Sequence, residues 1–284
     1  MSLPRPSLSL YHNKGSILVF TIWVIVFFAI LSLGLYNIIS SQIKLIKAAE
    51  DRFYGLNMAD AAYIYAKKQI EIDRSSYNTL YELRKKQEIQ LGIGKFNYTL
   101  VDENSKININ IASTDVISRL PGLDLDLAKS IYVSSLRPFH NKEELLLIDG
   151  ISEELYNKFK DFITVYSYGG VNINTAPQEV MAALGCDEEL INTIDDFRRG
   201  ADGKEATKDD QEFKDIGGIT DTLDSFKGLS DAQKTILSQL VGCGLIGIES
   251  SNFSLQIETK VIDRSAMRYV IIMDGALIKQ WKEY

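Results

Sequence analysis

Residues 17–35 read I-L-V-F-T-I-W-V-I-V-F-F-A-I-L-S-L-G-L, and the whole stretch 16–43 carries no charged side chain. That run is long and apolar enough to cross a bilayer core of ~30 Å as a helix. Lipid offers the backbone no hydrogen-bond partners, so a helix is the form a single segment can take there. Beyond it the pattern changes. Apolar positions fall at Ile46, Ala49, Phe53, Leu56, Ala59, Tyr63, Ala66 and Ile70, steps of three and four that draw one helical stripe. No proline interrupts residues 18–72. The pattern predicts one long helix over 16–75, apolar throughout at first and amphipathic later.

A polar stretch, 77–90, reads as a loop. G-K-F-N-Y-T-L-V-D then alternates, with Phe96, Tyr98 and Leu100 on one face of a strand. The period of two returns at F-S-L-Q-I-E-T-K-V-I, with Phe253, Leu255 and Ile257 on one face and Val261 and Ile262 closing the run. A turn at D-R-S leads to M-R-Y-V-I-I-M, and D-G marks a hairpin into A-L-I-K-Q-W. This meander is expected to join the strand near 96 and I-T-V-Y-S-Y at 163–168 in one antiparallel sheet.

Between these strands one phrase occurs twice. I-N-I-N-I-A-S-T-D-V-I-S-R-L spans 107–120, and V-N-I-N-T-A-P-Q-E-V-M-A-A-L spans 171–184. Each begins as alternating extended chain and continues into a short helix. Ser113 is a good N-cap with Asp115 in the first turn, and Pro177 and Glu179 suit the first turn of the second copy. Glycine turns follow at Gly122, Gly150, Gly185 and Gly218, each leading into another helical pattern. Each phrase therefore opens a pair of helix–turn–helix units. The expected architecture is α+β, with inserted helical regions at 109–163 and 174–245 and sheet segments at 76–108, 164–173 and 246–284.

The chain has 284 residues, 45% of them hydrophobic, and a net charge of −7. That is enough for a large core, and the acidic balance makes non-specific nucleic-acid binding unfavourable. Two readings stand for Cys186 and Cys243, a disulfide in an oxidising compartment or two free apolar thiols. With two histidines, His12 and His140, and no G-x-x-x-x-G-K-[ST], H-E-x-x-H, G-x-S-x-G or paired C-x-x-C, no catalytic motif is present. Gly92-Ile93-Gly94-Lys95 reads as a turn before a strand.

A cleaved secretory signal would have an apolar run of ~7–15 residues ending in small residues, and here the run is longer with no A-x-A after it. Instead Lys14-Gly15-Ser16-Ile17-Leu18-Val19-Phe20 resembles a type IV prepilin leader. That resemblance implies cleavage after Gly15 by a prepilin peptidase, a methylated amine on Ser16, and a mature charge of −9 once Arg5 and Lys14 are removed from the −7 of the full chain. Arg5 and Lys14 precede the span and no acid occurs before Glu50, which places the N-terminus in the cytoplasm.

The leader, the phrases R-F-Y-G-L-N-M-A-D-A-A, E-E-L-L-L-I-D-G-I-S and V-N-I-N-T-A-P-Q-E-V-M-A-A-L, and the closing F-S-L-Q-I together resemble the GspK family, the large minor pseudopilins of type II secretion systems. The resemblance implies a pilin fold anchored in the bacterial inner membrane with a periplasmic head, at the tip of a pseudopilus. Its implied partners are the major pseudopilin, other minor pseudopilins (GspI-, GspJ- and GspH-like), the prepilin peptidase, and the secretin or cargo. Major pilins carry glutamate at the fifth mature residue; here it is Phe20, which marks a subunit with none ahead of it.

The family is linked with calcium, but its Trp/Asp-rich insertion is missing between Arg137 and Pro138, and no cofactor is expected. The acid-rich loop at 199–212 is the place a Ca²⁺ site would need, and a solvated loop is the favoured reading. The helix–turn–helix units also resemble helix-hairpin-helix modules. Asp124, Ser152 and Asp187 fall where a phosphate-binding version keeps open backbone, and 113–163 carries six bases against nine acids. The alternatives are a membrane-anchored DNA receptor of a competence system and a minor pilin of a type IV pilus.

Overall fold

The computed structural model describes residues 14–72, 77–261, 266–274 and 277–284. Most of the leader, Ile262, the D-R-S turn and Gly275 lie outside them. The described residues divide into two compact bodies, 14–54 and 55–284.

Helix α1 runs Lys14–Ile72, 59 residues, and includes a segment long and apolar enough to span a membrane. Gly15 and Ser16 fall at its start. In the second body its last turns, from Gly55, pack on the sheet. The buried stripe there is Gly55, Met58, Ala59, Ala62 and Ala66. The expected stripe is right at Ala59 and Ala66, but Phe53 is exposed and Tyr63 half-buried. Small residues win that face because the helix lies close to the strands. A Cβ on Gly55 would sit 2.5 Å from the Tyr269 hydroxyl, so a bulkier row cannot enter. Tyr65, at the edge of this face, meets the rings of Phe96 and Tyr98 edge-on at 6.5 and 6.1 Å.

The stretch expected as a loop holds a short helix, α2 (Leu80–Arg84), and an edge strand, β1 (Gln87–Leu91). The strand was hidden because Q-E-I-Q-L shows little alternation, and an edge strand has less apolar surface to bury. Five antiparallel strands form the sheet in the order β1, β2 (Gly94–Asp102), β7 (Asn252–Val261), β8 (Met267–Asp274), β9 (Leu277–Glu283). The alternation read from sequence holds: Phe96, Tyr98, Leu100, Phe253, Leu255 and Ile257 are all at most 3% exposed.

Strand β2 pairs directly with β7, Asp102 opposite Phe253. Everything between them is one insertion into what would otherwise be a hairpin. The first repeat contains β3 (Ile107–Asn108), α3 (Thr114–Ser118), α4 (Leu125–Tyr132), a 3-10 helix (Lys142–Leu147), α5 (Glu153–Phe159) and β4 (Ile163–Thr164). The second contains β5 (Val171–Asn172), α6 (Gln178–Leu184), α7 (Glu188–Arg198), α8 (Ile219–Lys227), α9 (Asp231–Gly242) and β6 (Ile246–Gly247).

Two expectations need correction. Segment 163–168 does not join the large sheet, and neither do 171–172 and 246–247. Strand β4 instead pairs with β3, and β6 with β5, each in parallel. Each repeat thus closes on itself, its last strand lying beside its first. Gly170 permits the second closure, since a Cβ there would lie 2.6 Å from the Ile246 backbone carbon.

Candidate functional site

The repeated phrase lies at the centre of each repeat, and its side chains hold the repeat together. Asn108 Oδ1 accepts from the Asn110 backbone N–H at 2.9 Å, and Asn172 Oδ1 accepts from that of Asn174 at 3.0 Å. The second asparagine of each copy then clasps the backbone of a distant buried phenylalanine. Asn110 donates to the Phe139 carbonyl (2.9 Å) and accepts from the Phe139 N–H (2.7 Å). Asn174 does the same with Phe213 at 3.0 and 2.7 Å, and also donates to the Ile248 carbonyl at 3.0 Å.

An arginine ties the carbonyls of each phrase. Arg137 donates to those of Asn110 (2.7 Å) and Ala112 (3.2 Å). Arg198 donates to those of Ile173 (2.9 Å) and Ala176 (2.8 Å). The amide pair and the carbonyls that made the phrase look like a site are therefore occupied from within. The two repeats also meet at corresponding positions, where Arg119 on the turn after α3 donates to the Ala183 carbonyl, 64 residues on, at 3.4 Å.

Gly122, Gly150 and Gly185 have φ of 81°, 91° and 100°, the left-handed region where a Cβ is penalised. Gly122 faces Leu155 on α5, and Gly150 faces Leu127 on α4, so each turn of the first repeat seats against the helix of the other unit. Gly218 differs. It is the N-cap of α8 with φ −89°, ordinary backbone. Pro177 is likewise an N-cap, one position before the first turn expected for it.

The residues at the phosphate seats are N-caps. Asp124 accepts from the Leu127 N–H at 2.8 Å, Ser152 from Leu155 at 3.1 Å, and Asp187 from Leu190 at 2.7 Å. A side-chain oxygen thus occupies the donors a phosphate would need, and in two of the three it belongs to a carboxylate.

Sequence reading missed the junction between sheet and repeats. Asp102 ends β2 and residues 103–105, E-N-S, look like a loop, but all four are buried. Successive side chains of an extended chain leave on opposite faces, and here each anchors a different repeat. Asp102 accepts from Asn172 Nδ2 (3.0 Å) and the Thr175 hydroxyl of the second repeat, from the Ser250 hydroxyl, and from the Asn104 N–H (2.7 Å). Glu103 accepts from the Thr164 hydroxyl (2.6 Å) of the first repeat, the Ser254 hydroxyl of β7, and Lys106 Nζ (2.7 Å).

Burial pushes the Asp102 carboxyl above its ordinary value, against the four neutral donors that favour its charge. Burial acts on Glu103 in the same direction, but Lys106, with the two hydroxyls, outweighs it and holds that carboxyl below its ordinary value. The one signal in the sequence is a run of polar residues directly after a strand whose alternation ends on a buried aspartate.

The cysteines do not pair. Cys186 is buried before α7 and Cys243 exposed after α9, both as free thiols. Burial, with Asp187 beside it, pushes the Cys186 thiol up to about 12. His140 is exposed.

In the loop at 199–212, Asp202 accepts from the Lys204 N–H, Asp209 from that of Asp202, and Asp210 from those of Tyr81, Ala206 and Thr207. Glu205 meets Arg84 and Arg199. Among the described residues no group of three or more His, Cys, Asp or Glu side chains is placed to hold a metal ion.

Residues 102–164 match the helix-hairpin-helix motif family, a stretch that begins at Asp102 and ends at β4. No curated protein sequence matches the chain. The fold is similar to that of a chain in the crystal structure of the GspK-GspI-GspJ complex from the enterotoxigenic Escherichia coli type 2 secretion system. The TM-score is 0.60 at 13% identity, covering 84% of this chain and 98% of that one. At this identity the likeness is one of fold, and the fold is the pilin-like architecture with a helical insertion that the sequence predicts.

Proposed function

We propose that this chain is a minor pseudopilin of a type II secretion system that stands at the pseudopilus tip, where it starts assembly and caps the fibre. The observation that carries the reading is the likeness in fold to a chain of the GspK-GspI-GspJ complex. In this reading the apolar part of α1 anchors the precursor in the inner membrane with its N-terminus in the cytoplasm. A prepilin peptidase cleaves after Gly15, Ser16 becomes the methylated mature terminus, and the same helix packs with those of other minor pseudopilins. Phe20 supports the tip position. A terminal amine buried in a helical bundle needs a carboxylate beside it, and position 20 cannot offer one to a subunit ahead. The role is structural and requires no cofactor.

The test is co-expression of the full chain with a prepilin peptidase. The expected product begins at Ser16 and carries one added methyl group by intact mass, and Gly15→Asp abolishes it. A chain that stays uncleaved beside a processed control pilin overturns the reading.

The helix-hairpin-helix match favours a second reading, a membrane-anchored DNA receptor. The Asp124, Ser152 and Asp187 caps oppose it. A gel shift with duplex DNA at low salt distinguishes the two, since a receptor retards the duplex and a pseudopilin leaves it free.

A further inference from the structure

The two arginines that hold the phrase carbonyls use different nitrogens. In the first repeat Arg137 Nε and Nη2 both donate to the Asn110 carbonyl, at 3.2 and 2.7 Å. In the second, Arg198 reaches the phrase through Nη1 and gives Nη2 to Asp195. Its Nε is buried and has no hydrogen-bond partner among the described residues. A buried donor is costly to leave unpaired, and Arg198 is only 7% exposed.

Arg198 lines a small cleft together with Thr79, Asp195, Arg199, Glu205 and Asp210. The cleft lies where the second repeat meets α2. There the Tyr81 N–H donates to Asp210 at 3.1 Å, and Arg84 meets Glu205 at 3.4 Å. Its volume of about 10 Å³ suits one water molecule and nothing larger.

Charge narrows the ligand in the same direction. Three carboxylates repel an anion, and Arg198 and Arg199 repel a cation. A neutral water satisfies both sides. Asp195 accepts from Arg198 and Gln178, and Glu205 meets Arg84 and Arg199. That leaves each short of the roughly four bonds a carboxylate can accept. The Thr79 hydroxyl accepts from the Glu82 N–H at 3.4 Å as the cap of α2 and keeps its own hydrogen to give.

We propose that one long-lived water molecule binds in this cleft, accepting from Arg198 Nε–H and the Thr79 hydroxyl and donating to Asp195 and Glu205. It joins the arginine of the second phrase to the cap of α2. The first repeat builds no such bridge, because its Arg137 Nε is spent on a carbonyl. The inference does not depend on a place at a pseudopilus tip.

The test is water–protein NOE spectroscopy on the full chain, labelled with ¹⁵N at arginine, in detergent micelles. The expected result is an NOE with the sign of a long-lived water at Arg198 Hε and none at Arg137 Hε. Thr79→Val removes a hydroxyl whose exchange with solvent also produces such a signal. The water then keeps three partners, the usual number for a buried one, so the cross-peak stays. No NOE at Arg198, equal NOEs at both arginines, or loss of the cross-peak in Thr79→Val overturns the proposal. So does an Arg198 Hε shift that follows chloride concentration, which shows an anion in the cleft.

Discussion

In the first repeat α4 buries two side chains, Ala128 and Ile131, whereas in the second α7 buries six, including Asp195 and Arg198. Both repeats nevertheless share one frame: an asparagine clasp on a distant phenylalanine, an arginine on the phrase carbonyls, and a parallel closing pair. The clasp fixes the path of the chain, while the outer layer is free to differ. Nearly all polar groups inside a repeat must find partners, which restricts the frame to few side chains. An outer helix needs only an apolar face, so the 3-10 helix Lys142–Leu147 of the first repeat can stand where the second has α8.

Equivalent amides read this comparison directly. Ile109 N–H donates to the Thr164 carbonyl at 3.0 Å and Ile173 N–H to that of Gly247 at 2.9 Å, so native-state hydrogen exchange at the two reports each closure. The largest contrast is expected between the arginines. Arg198→Met leaves buried Asp195 with only the more distant Arg199, at 3.7 Å, as its cation and costs the second repeat about 3 kcal/mol. Arg137→Met breaks half-exposed bonds and costs the first about 1–2 kcal/mol. Equal losses at Ile109 and Ile173 would show that burial does not separate the two frames.

Next comes the clasp. Asn174→Ala strips three bonds from a buried site and is expected to cost about 3 kcal/mol, against about 2 kcal/mol for Asn110→Ala, which removes two at a half-buried one. Exchange at the Phe213 and Phe139 amides measures it.

Acid should then act on the two repeats with opposite sign. Glu103 titrates below its unfolded value near 4.5, so its contribution is complete above that pH and is lost as pH falls through the lower folded value. Asp102 titrates above its unfolded value near 3.8, so its burden is absent below that pH and grows as pH rises toward the folded value. Lys106, Lys142, Tyr166 and the Thr164 and Ser254 hydroxyls surround Glu103; neutral donors surround Asp102. Acidification below pH 4.5 is therefore expected to speed exchange at Ile109 more than at Ile173, and Glu103→Gln to remove that difference. The opposite ranking would reverse the assignment of anchors.

The smallest effect compares turns. Gly122→Ala places a Cβ on a left-handed residue facing Leu155 and costs about 1–2 kcal/mol. Gly218→Ala, on ordinary backbone, costs less than about 1 kcal/mol. Thermal unfolding of the full chain separates them if the fourth turn is as relaxed as its φ indicates.

Much of this was legible in the sequence because periodicity reports burial. The long helix, the strands of Phe96 and Phe253, the Ser113 cap and the repeat all follow from spacing. The stripe on α1 was misplaced because small residues can mark a close approach as well as an exposed face, and only the Tyr269 hydroxyl near Gly55 decides between them. The segment at 163–168 was misassigned because parallel pairing of two residues leaves no pattern distinct from a sheet strand. The anchors at Asp102 and Glu103 were invisible for a different reason. A polar run reads as solvated unless its partners are known, and those partners lie as far as 151 residues away.

Parallel closure also bears on how such a head can change over generations. Each repeat leaves its stem where it enters, with Ile107 beside Ile163 and Val171 beside Ile246. A segment joined at a single point can be copied, lengthened or exchanged without altering the distance its neighbours must bridge. The head is in this respect a socket, and the two repeats are cartridges seated in it.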